Sequence, residues 1–509
     1  MANNQRGGLL PAENKIEEEK IESYGDSASP ANPGSSRKKG FFLLSRTLWK
    51  AGVIWSMLLF AGVLVVFNGC SPQREMDALS VDTTQTFSSS GTARVPDRWW
   101  AAFDDPRLNL LVDSALTSNF NLKSAWQRLR EARAVSDRAA SSLFPSLDAS
   151  AQGELSQYQR QFDQNQQLRL GLSAQYEVDL WGRIRSSVEA ERYRARASLS
   201  DYQTAGLSVS AEVARTWYQL MVAHKQRALI EQQIVTNEKV MSLIRARFGS
   251  GQVRSVDILR QRQLLESTRE QKIQAERTIR LLEHQLAVLL GRVPQGALEY
   301  QKDSLPGMPA LPETGVPAGL IRRRPDVRSA FQRLQAADSD LASAISNQYP
   351  RFSISASVST AADQAGNLFE DWARSLAGNL LTPILYGGQL RAEVDRAEAV
   401  RQQRLYEYGQ AMLTAFREVE DALVRENKQR ERIASLEEQL QLARDAYQQL
   451  RVGYFNGVTD YLDVLTALDE VQQLQRDLLT SRLLLVEYRI ALYRSLAGSI
   501  EPPTRTIQQ

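Results

Sequence analysis

Few side chains in this 509-residue chain are equipped for covalent or metal chemistry. There is one cysteine, Cys70, and there are two histidines, His224 and His284, so no cluster of zinc-ligand spacing can be assembled. Both histidines stand in strongly helical stretches, where packing or surface roles account for them. No nucleophile, base or metal constellation suggests an active site, and the chain is read as a non-enzyme without cofactors. The carboxylates that stand out are Asp257, Asp460 and Asp463, each a few residues past a glycine turn, where acidic groups ordinarily stabilise the start of a helix.

Cys70 is placed by what precedes it. Residues 51–69 are an apolar run, AGVIWSMLLFAGVLVVFNG, flanked upstream by Arg37, Lys38, Lys39, Arg46 and Lys50. A positive flank followed by an apolar core reads as an export signal, and its apolar length also suits a membrane-spanning helix. It ends on Gly69, a small residue directly before the cysteine, and so resembles a bacterial lipoprotein signal, although Phe67 and Asn68 depart from the usual lipobox residues. That resemblance implies diacylation of Cys70. Ser71 in place of an aspartate implies the outer membrane as destination. Residues 1–50 are a polar extension and basic flank, of which 1–36 are too poor in apolar residues to fold alone.

From Cys70 onward the chain carries 54 basic against 53 acidic residues, which leaves no general electrostatic footprint for nucleic acid. Its most informative feature is an internal repeat. Arg245, Phe248, Gly251, Asp257, Ile258 and Leu259 recur 206 residues later as Arg451, Tyr454, Gly457, Asp463, Val464 and Leu465. Phe144-Pro145 and Leu180-Trp181-Gly182 recur at 205 as Tyr349-Pro350 and Leu385-Tyr386-Gly387. The organisation expected is an N-terminal tether over 70–107, repeat 1 over 108–293, a Pro/Gly connector over 294–319, repeat 2 over 320–498 and a tail over 499–509.

Each repeat holds two alternating segments. Leu168, Leu170, Leu172, Ala174, Tyr176 and Val178 alternate with polar residues, as do Leu147, Ala149, Ala151 and Leu155. Phe352, Ile354, Ala356 and Val358 alternate with serines, and a less regular strand is expected from about Trp372 to Leu381. In isolation such alternation suits an ordinary half-buried sheet as well as a membrane strand; on the membrane reading four strands cannot close a barrel, because bacterial barrels begin at about eight and an open edge in lipid leaves backbone groups unpaired. Three chains would supply twelve. The rest is helical: about 65 proline-free residues from Ile184 to Phe248 could extend ~100 Å, and a matching stretch begins at Gln389. On the last helix Val464, Val471, Leu478, Leu485 and Leu492 recur every seven residues, a coiled-coil seam.

With these elements the chain resembles the TolC/OprM outer-membrane factors, and most closely their NodT branch of efflux lipoproteins. The carriers are Trp99-Trp100-Ala101-Ala102-Phe103, Asp105-Pro106, Leu180-Trp181-Gly182, Leu320-Ile321-Arg322-Arg323-Arg324-Pro325-Asp326 and Leu385-Tyr386-Gly387-Gly388. The resemblance implies an α+β membrane protein: a homotrimeric, 12-stranded outer-membrane β-barrel, four strands per chain, continuing into a long periplasmic α-helical barrel. It implies a lipid-anchored outer-membrane subunit of a Gram-negative tripartite efflux system exporting small molecules. The implied partners are outer-membrane lipids, a periplasmic adaptor and an inner-membrane transporter of the RND class. A type I protein-secretion duct and a membrane-anchored coiled-coil scaffold are the alternatives.

The same resemblance puts the functional residues at the helix-turn-helix tips. Asp463 matches a ring aspartate of the periplasmic gate, and three carboxylates near a threefold axis would repel anions. The second ring aspartate falls on Thr466; Asp460, one turn before Asp463, is its candidate substitute, and Asp257 is the repeat-1 counterpart of Asp463. Tyr454 matches a tyrosine of the network that holds the helices closed, whereas its arginine falls on Thr459. Gly251, Gln252 and Val253, with Gly457, Val458 and Thr459, occupy the places of adaptor contacts.

Overall fold

The computed structural model describes residues 86–157, 164–295, 305–315, 317–496 and 498, all within one compact unit, Cys70–Gln509. Cys70, the apolar run at 51–69, the extension at 1–50 and the tail at 499–509 lie outside the described residues.

A short 3-10 turn at Trp99–Phe103 leads into α1 (Pro106–Ser118) and α2 (Phe120–Ser141), the hairpin β1 (Ser146–Gln157) and β2 (Gln164–Val178), and the helices α3 (Arg183–Gly249) and α4 (Ser255–Leu289). The second half repeats the order: α5 (Pro317–Arg323), α6 (Pro325–Ser346), β3 (Arg351–Ala362), β4 (Ala373–Leu381), α7 (Gln389–Phe455) and α8 (Tyr461–Leu496). Helices α3 and α7 are each 67 residues long, about 100 Å at 1.5 Å per residue. Neither contains a proline, and each starts after a glycine at positive φ, Gly182 (79°) and Gly388 (87°).

The strands form one antiparallel sheet in the order β1-β2-β3-β4. Its register decides what the alternation is for. Leu172 lies between Ala149 and Val358, Ala174 between Leu147 and Ala356, and Ala356 is paired in turn with Leu376. The apolar sets of β1, β2 and β3 therefore fall on one face together with Leu376, Gly378 and Leu380 of β4, with Arg374 near one end of that face and Ala377 and Leu381 on the other, because side chains alternate with period two and pairing keeps them in step. The opposite face carries Asp148, Ser150, Gln152, Arg169, Ser173, Gln175, Ser353, Ser355, Ser357 and Ser375. Among the described residues, β1 and β4 each leave one edge unpaired.

The register also moves the one-residue slip between the repeats. Pairing maps β1 onto β3 at an offset of 205 but β2 onto β4 at 206, and the helix caps Gly182 and Gly388 agree with 206. The slip thus lies in the hairpin between β3 and β4. The equivalent of Trp181 is Gly387, one residue beyond the Tyr386 that side-chain similarity selects, because backbone pairing and caps define the equivalence.

The main core sits where the long helices pass the first turn. Trp99, Phe103, Leu108 and Val112 pack against Leu207, Trp217, Tyr218 and Met221 of α3 and Val486, Ile490 and Tyr493 of α8. The Trp-Trp-Ala-Ala-Phe and Asp-Pro motifs are explained here. Trp99 stacks on Tyr493 at 6.0 Å and donates to Ser210 Oγ at 3.1 Å. Asp105, fully buried, caps α1 by accepting from the amides of Arg107 and Leu108, and its other oxygen accepts from Trp217 Nε1 at 3.0 Å. Proline at the first position of α1 loses no hydrogen bond.

Nearby, buried Arg489 of α8 binds Glu426 of α7, Nε to Oε2 at 2.8 Å, and donates to the carbonyls of Pro309 and Ala310. It thereby ties the inter-repeat connector to repeat 2. At the strand-to-helix junction Trp181 stacks on Tyr349 at 5.0 Å and donates to the Pro350 carbonyl at 2.8 Å, so the Leu-Trp-Gly motif of repeat 1 holds the Tyr-Pro motif of repeat 2.

Candidate functional site

The far ends of the long helices carry two turns of one design. After α3, Gly251 at φ 74° donates to the Phe248 carbonyl and Gln252 to that of Arg247. After α7, Gly457 at φ 77° donates to Tyr454 and Val458 to Gly453. Both are Schellman caps, in which a residue in the left-handed region lets the chain reverse while satisfying the last carbonyls. Glycine adopts that region without strain, which accounts for its presence at both positions.

The expected adaptor residues lie on these turns. Gly251, Gln252, Gly457 and Val458 are exposed, Val458 at 80%, whereas Val253 and Thr459 are half-buried. The Thr459 hydroxyl donates back to the Leu450 carbonyl at 3.0 Å and so closes its own turn.

The three aspartates separate. Asp257 and Asp463 both stand at the third position of their helices, but Asp257 is 3% exposed and Asp463 is exposed. Asp257 Oδ2 accepts from the Arg254 amide at 3.1 Å, the N-terminal capping role, and faces the guanidiniums of Arg254 and Arg260 at 3.7 and 3.9 Å. Asp460 and Asp463 stand on the surface of the second tip, with no cationic partner among the described residues.

Tyr454 is 9% exposed and joins Ile244, Tyr461 and Val464 in a small core between the tips. Sequence reasoning missed its partner. Arg247 of α3 lies 4.7 Å from the centre of the Tyr454 ring and 5.0 Å from that of Phe455, a cation–π clamp from repeat 1 onto repeat 2. The Tyr454 hydroxyl is buried with no hydrogen-bond partner among the described residues. Neighbouring Tyr461 sits 5.6 Å from it, ring to ring. Burial, with Asp257 among the nearby groups, pushes the Tyr461 phenol well above its ordinary pKa. Its hydroxyl donates to Gln261 Oε1 at 2.5 Å.

Above the tips, α3 meets α8 through amides, which sequence reasoning also missed. Gln219, Gln226 and Gln233 recur every seven residues on α3 and donate respectively to Glu487, to Thr480, and to Gln475 together with the Gln472 carbonyl. Asn237 and Gln472 exchange two hydrogen bonds, at 3.3 and 3.0 Å. The signal available was the heptad spacing of three glutamines.

A duplicated chain with two long helical hairpins hung from a one-sided sheet has the architecture of an outer-membrane export component. The model of the outer membrane efflux protein family matches residues 111–292 and 316–498, the two repeats, and the chain belongs to that family. It is similar to the pyoverdine export outer membrane protein OpmQ of Pseudomonas aeruginosa, 28% identical over 87% of this chain and 96% of that one. It is likewise similar to the cation efflux system protein CusC of Escherichia coli K12, 26% identical over 86% and 98%. Among solved structures, the outer-membrane channel OprN superposes with a TM-score of 0.78 at 29% identity, covering 84% of this chain and 99% of that one. The open state of the Neisseria gonorrhoeae channel MtrE gives 0.74 at 27%, covering 84% and 97%. The protein is the outer-membrane component of an efflux system.

Proposed function

We propose that three copies of this chain form a closed duct that carries small molecules out through the outer membrane. The carrying observation is a sheet with an apolar face continuous over four strands and two unpaired edges. In lipid such edges must be paired, and closure by three copies makes twelve strands. The duplication supplies the register. If β4 meets the neighbour's β1 as β2 meets β3, Leu376 falls opposite Leu155, Gly378 opposite Gly153 and Leu380 opposite Ala151. Leu376, Leu380 and Leu155 are 79%, 68% and 81% exposed in the isolated chain, and this pairing gathers them on one lipid-facing band.

The helices then form the periplasmic tunnel. Its tips meet an adaptor through the exposed turn residues Gly251, Gln252, Gly457 and Val458, with Val253 and Thr459 beside them, and the adaptor leads to an inner-membrane transporter of the RND class. Asp463 and Asp460 line the tip entrance as a cation-favouring ring, and Tyr454 holds it shut, with Asp257 capping the helix alongside. Cys70 carries the lipid anchor. Relatives of similar length are named for pyoverdine, cations and toluene. This spread suits a duct whose cargo is selected by its partners.

The test is a cysteine pair, Gly153→Cys with Gly378→Cys, in one chain. Directly opposed strand residues lie within disulfide reach, so oxidation should give an SDS-resistant trimer. Shifting one partner to Asn379→Cys turns it to the other face and should abolish the product. Only monomer in native membranes from both pairs refutes the assembly. In planar bilayers Asp463→Asn should lower cation selectivity, and unchanged selectivity removes Asp463 from the entrance.

A further inference from the structure

Each strand of the sheet order β1-β2-β3-β4 adjoins one helix, so the helices follow in the row α2, α3, α6, α7. Within this row α2 packs on α3, α3 on α6 and α6 on α7. The duplication shows in the contacts themselves. Trp126 of α2 meets Tyr202 of α3 at 5.7 Å, and their counterparts Phe331 of α6 and Tyr408 of α7 meet at 5.4 Å. The α3–α6 contact is the exception, because its counterpart would join α7 to α2, which stand at opposite ends of the row.

Three polar links define the α3–α6 contact. Asp201 accepts from Ser329 Oγ at 2.7 Å and from Arg333 Nη2 at 2.6 Å, Arg194 pairs with Asp340, and Ser346 Oγ donates to the Trp181 carbonyl at 2.9 Å. The repeat offset is 205 for the short helices and 206 for the long ones, so the counterpart of Asp201 is Glu407 of α7, and those of Ser329 and Arg333 are Ser124 and Arg128 of α2. A carboxylate again matches a hydroxyl and a guanidinium one helical turn apart. Arg194 and Asp340 become Val400 and Val135, so an ion pair gives way to an apolar pair at both members together. Exchange of one member alone would leave a charge facing a methyl group, and paired exchange is what a real contact demands. Ser346 keeps its hydroxyl as Ser141.

Both faces are open in the single chain. Ser124, Arg128 and Glu407 are exposed, and Arg128 makes no ion pair among the described residues. Tyr406 and Leu413 of α7, 68% and 51% exposed, take the places of Ser200 and Leu207 of α3, 2% and 5% exposed. Glu407 accepts from Gln403 at 2.8 Å and Arg404 at 2.6 Å on its own helix. These two, with Arg333 of α6 nearby, hold its carboxyl below the ordinary range.

We propose that Ser124 and Arg128 of one copy bind Glu407 of the next, with Val135 against Val400. Repeated at three joints, this closes Arg128, Asp201, Arg333 and Glu407 of each copy into a ring of alternating charge around the duct. Exposed ion pairs contribute little stability, but their pattern selects partner and register. The joint rests on the trimeric duct proposed above and adds to it the residues beyond the sheet by which one copy recognises another.

The experiment uses the full-length chain in native outer membranes, with assembly checked on unheated gels. A carbodiimide condenses an amine with a carboxylate it touches, with net loss of water. In Arg128→Lys it should therefore give covalent dimers and trimers that survive boiling, with a 128–407 linked peptide found by mass spectrometry. Adding Glu407→Gln should remove that peptide. A second measurement needs no lysine. Arg128→Gln and Glu407→Gln should each speed dissociation of the trimer in warm detergent, about twofold per joint and about tenfold for three. Combined, they should speed it no more than the larger single change, because both break the same contact. An intact trimer without the 128–407 peptide, or losses that add, overturns the joint alone. A wild-type chain that forms no trimer overturns the duct, and the joint with it.

Discussion

Replacing Arg489 with methionine tests the best-defined buried interaction in the molecule. The Arg489 side chain is fully buried, and the Glu426 side chain it binds is 4% exposed. Burial alone would push the Glu426 carboxyl up, but the hydrogen bonds and charges of Arg489 and then Arg430 outweigh it and hold it below the ordinary carboxylate range. Removing one partner of a buried pair typically costs about 3–5 kcal/mol, because the other charge is stranded. Arg430 remains 2.9 Å from Glu426, so about 3 kcal/mol is expected. The carbonyls of Pro309 and Ala310 also lose their donor. The pH dependence has a definite sign. A carboxyl whose folded pKa is depressed stabilises the fold above its unfolded value, about 4.3 for glutamate, and loses that contribution as pH falls through the folded value. The gap between wild type and Arg489→Met should therefore be widest at pH 7 and narrow at pH 4, where Glu426 in the variant is neutral. Urea unfolding followed by circular dichroism at both pH values measures it, and adding Glu426→Leu should recover most of the loss. A variant within 1 kcal/mol of wild type at pH 7, or a gap unchanged at pH 4, refutes the reasoning.

Three further outcomes follow from the same physics. Gly457→Ala, at φ 77° with open space around the added methyl, should lose about 1–2 kcal/mol of local stability from backbone strain alone, seen as faster amide exchange at the second tip. Gly457→Asn should lose less. Leu172→Arg places a charge on the apolar face of the sheet and should destabilise by about 2–4 kcal/mol, whereas Ser355→Arg on the polar face should be tolerated; heat-dissociation midpoints on gels compare the two. Cys70→Ser should abolish incorporation of labelled fatty acid, and persistent labelling would place the anchor elsewhere.

Much of the architecture was legible because it is written in periods. Alternation of two marked β1, β2 and β3, and 65 proline-free residues marked α3, since each period follows from local backbone geometry. Strand β4 was less regular: Arg374, Ala377 and Gly378 blur its alternation, and its membership in the sheet is set by pairing with β3. The motifs were visible as words without meanings. That Trp99 stacks on Tyr493, or that Trp181 of one repeat holds the Tyr349-Pro350 turn of the other, depends on contacts across more than a hundred residues.

At the tips, the sequence by itself determined the two glycine turns and the aspartates behind them, because a left-handed cap and an N-terminal carboxylate are local requirements. Only the tertiary structure decided that Asp257 is enclosed while its counterpart Asp463 is exposed, since burial depends on which neighbours fold over each site. Arg247 found its rings, and the heptad of glutamines found α8, for the same reason. A side chain's type and spacing restrict what it can bind, but the partner is chosen by packing between segments far apart in the chain.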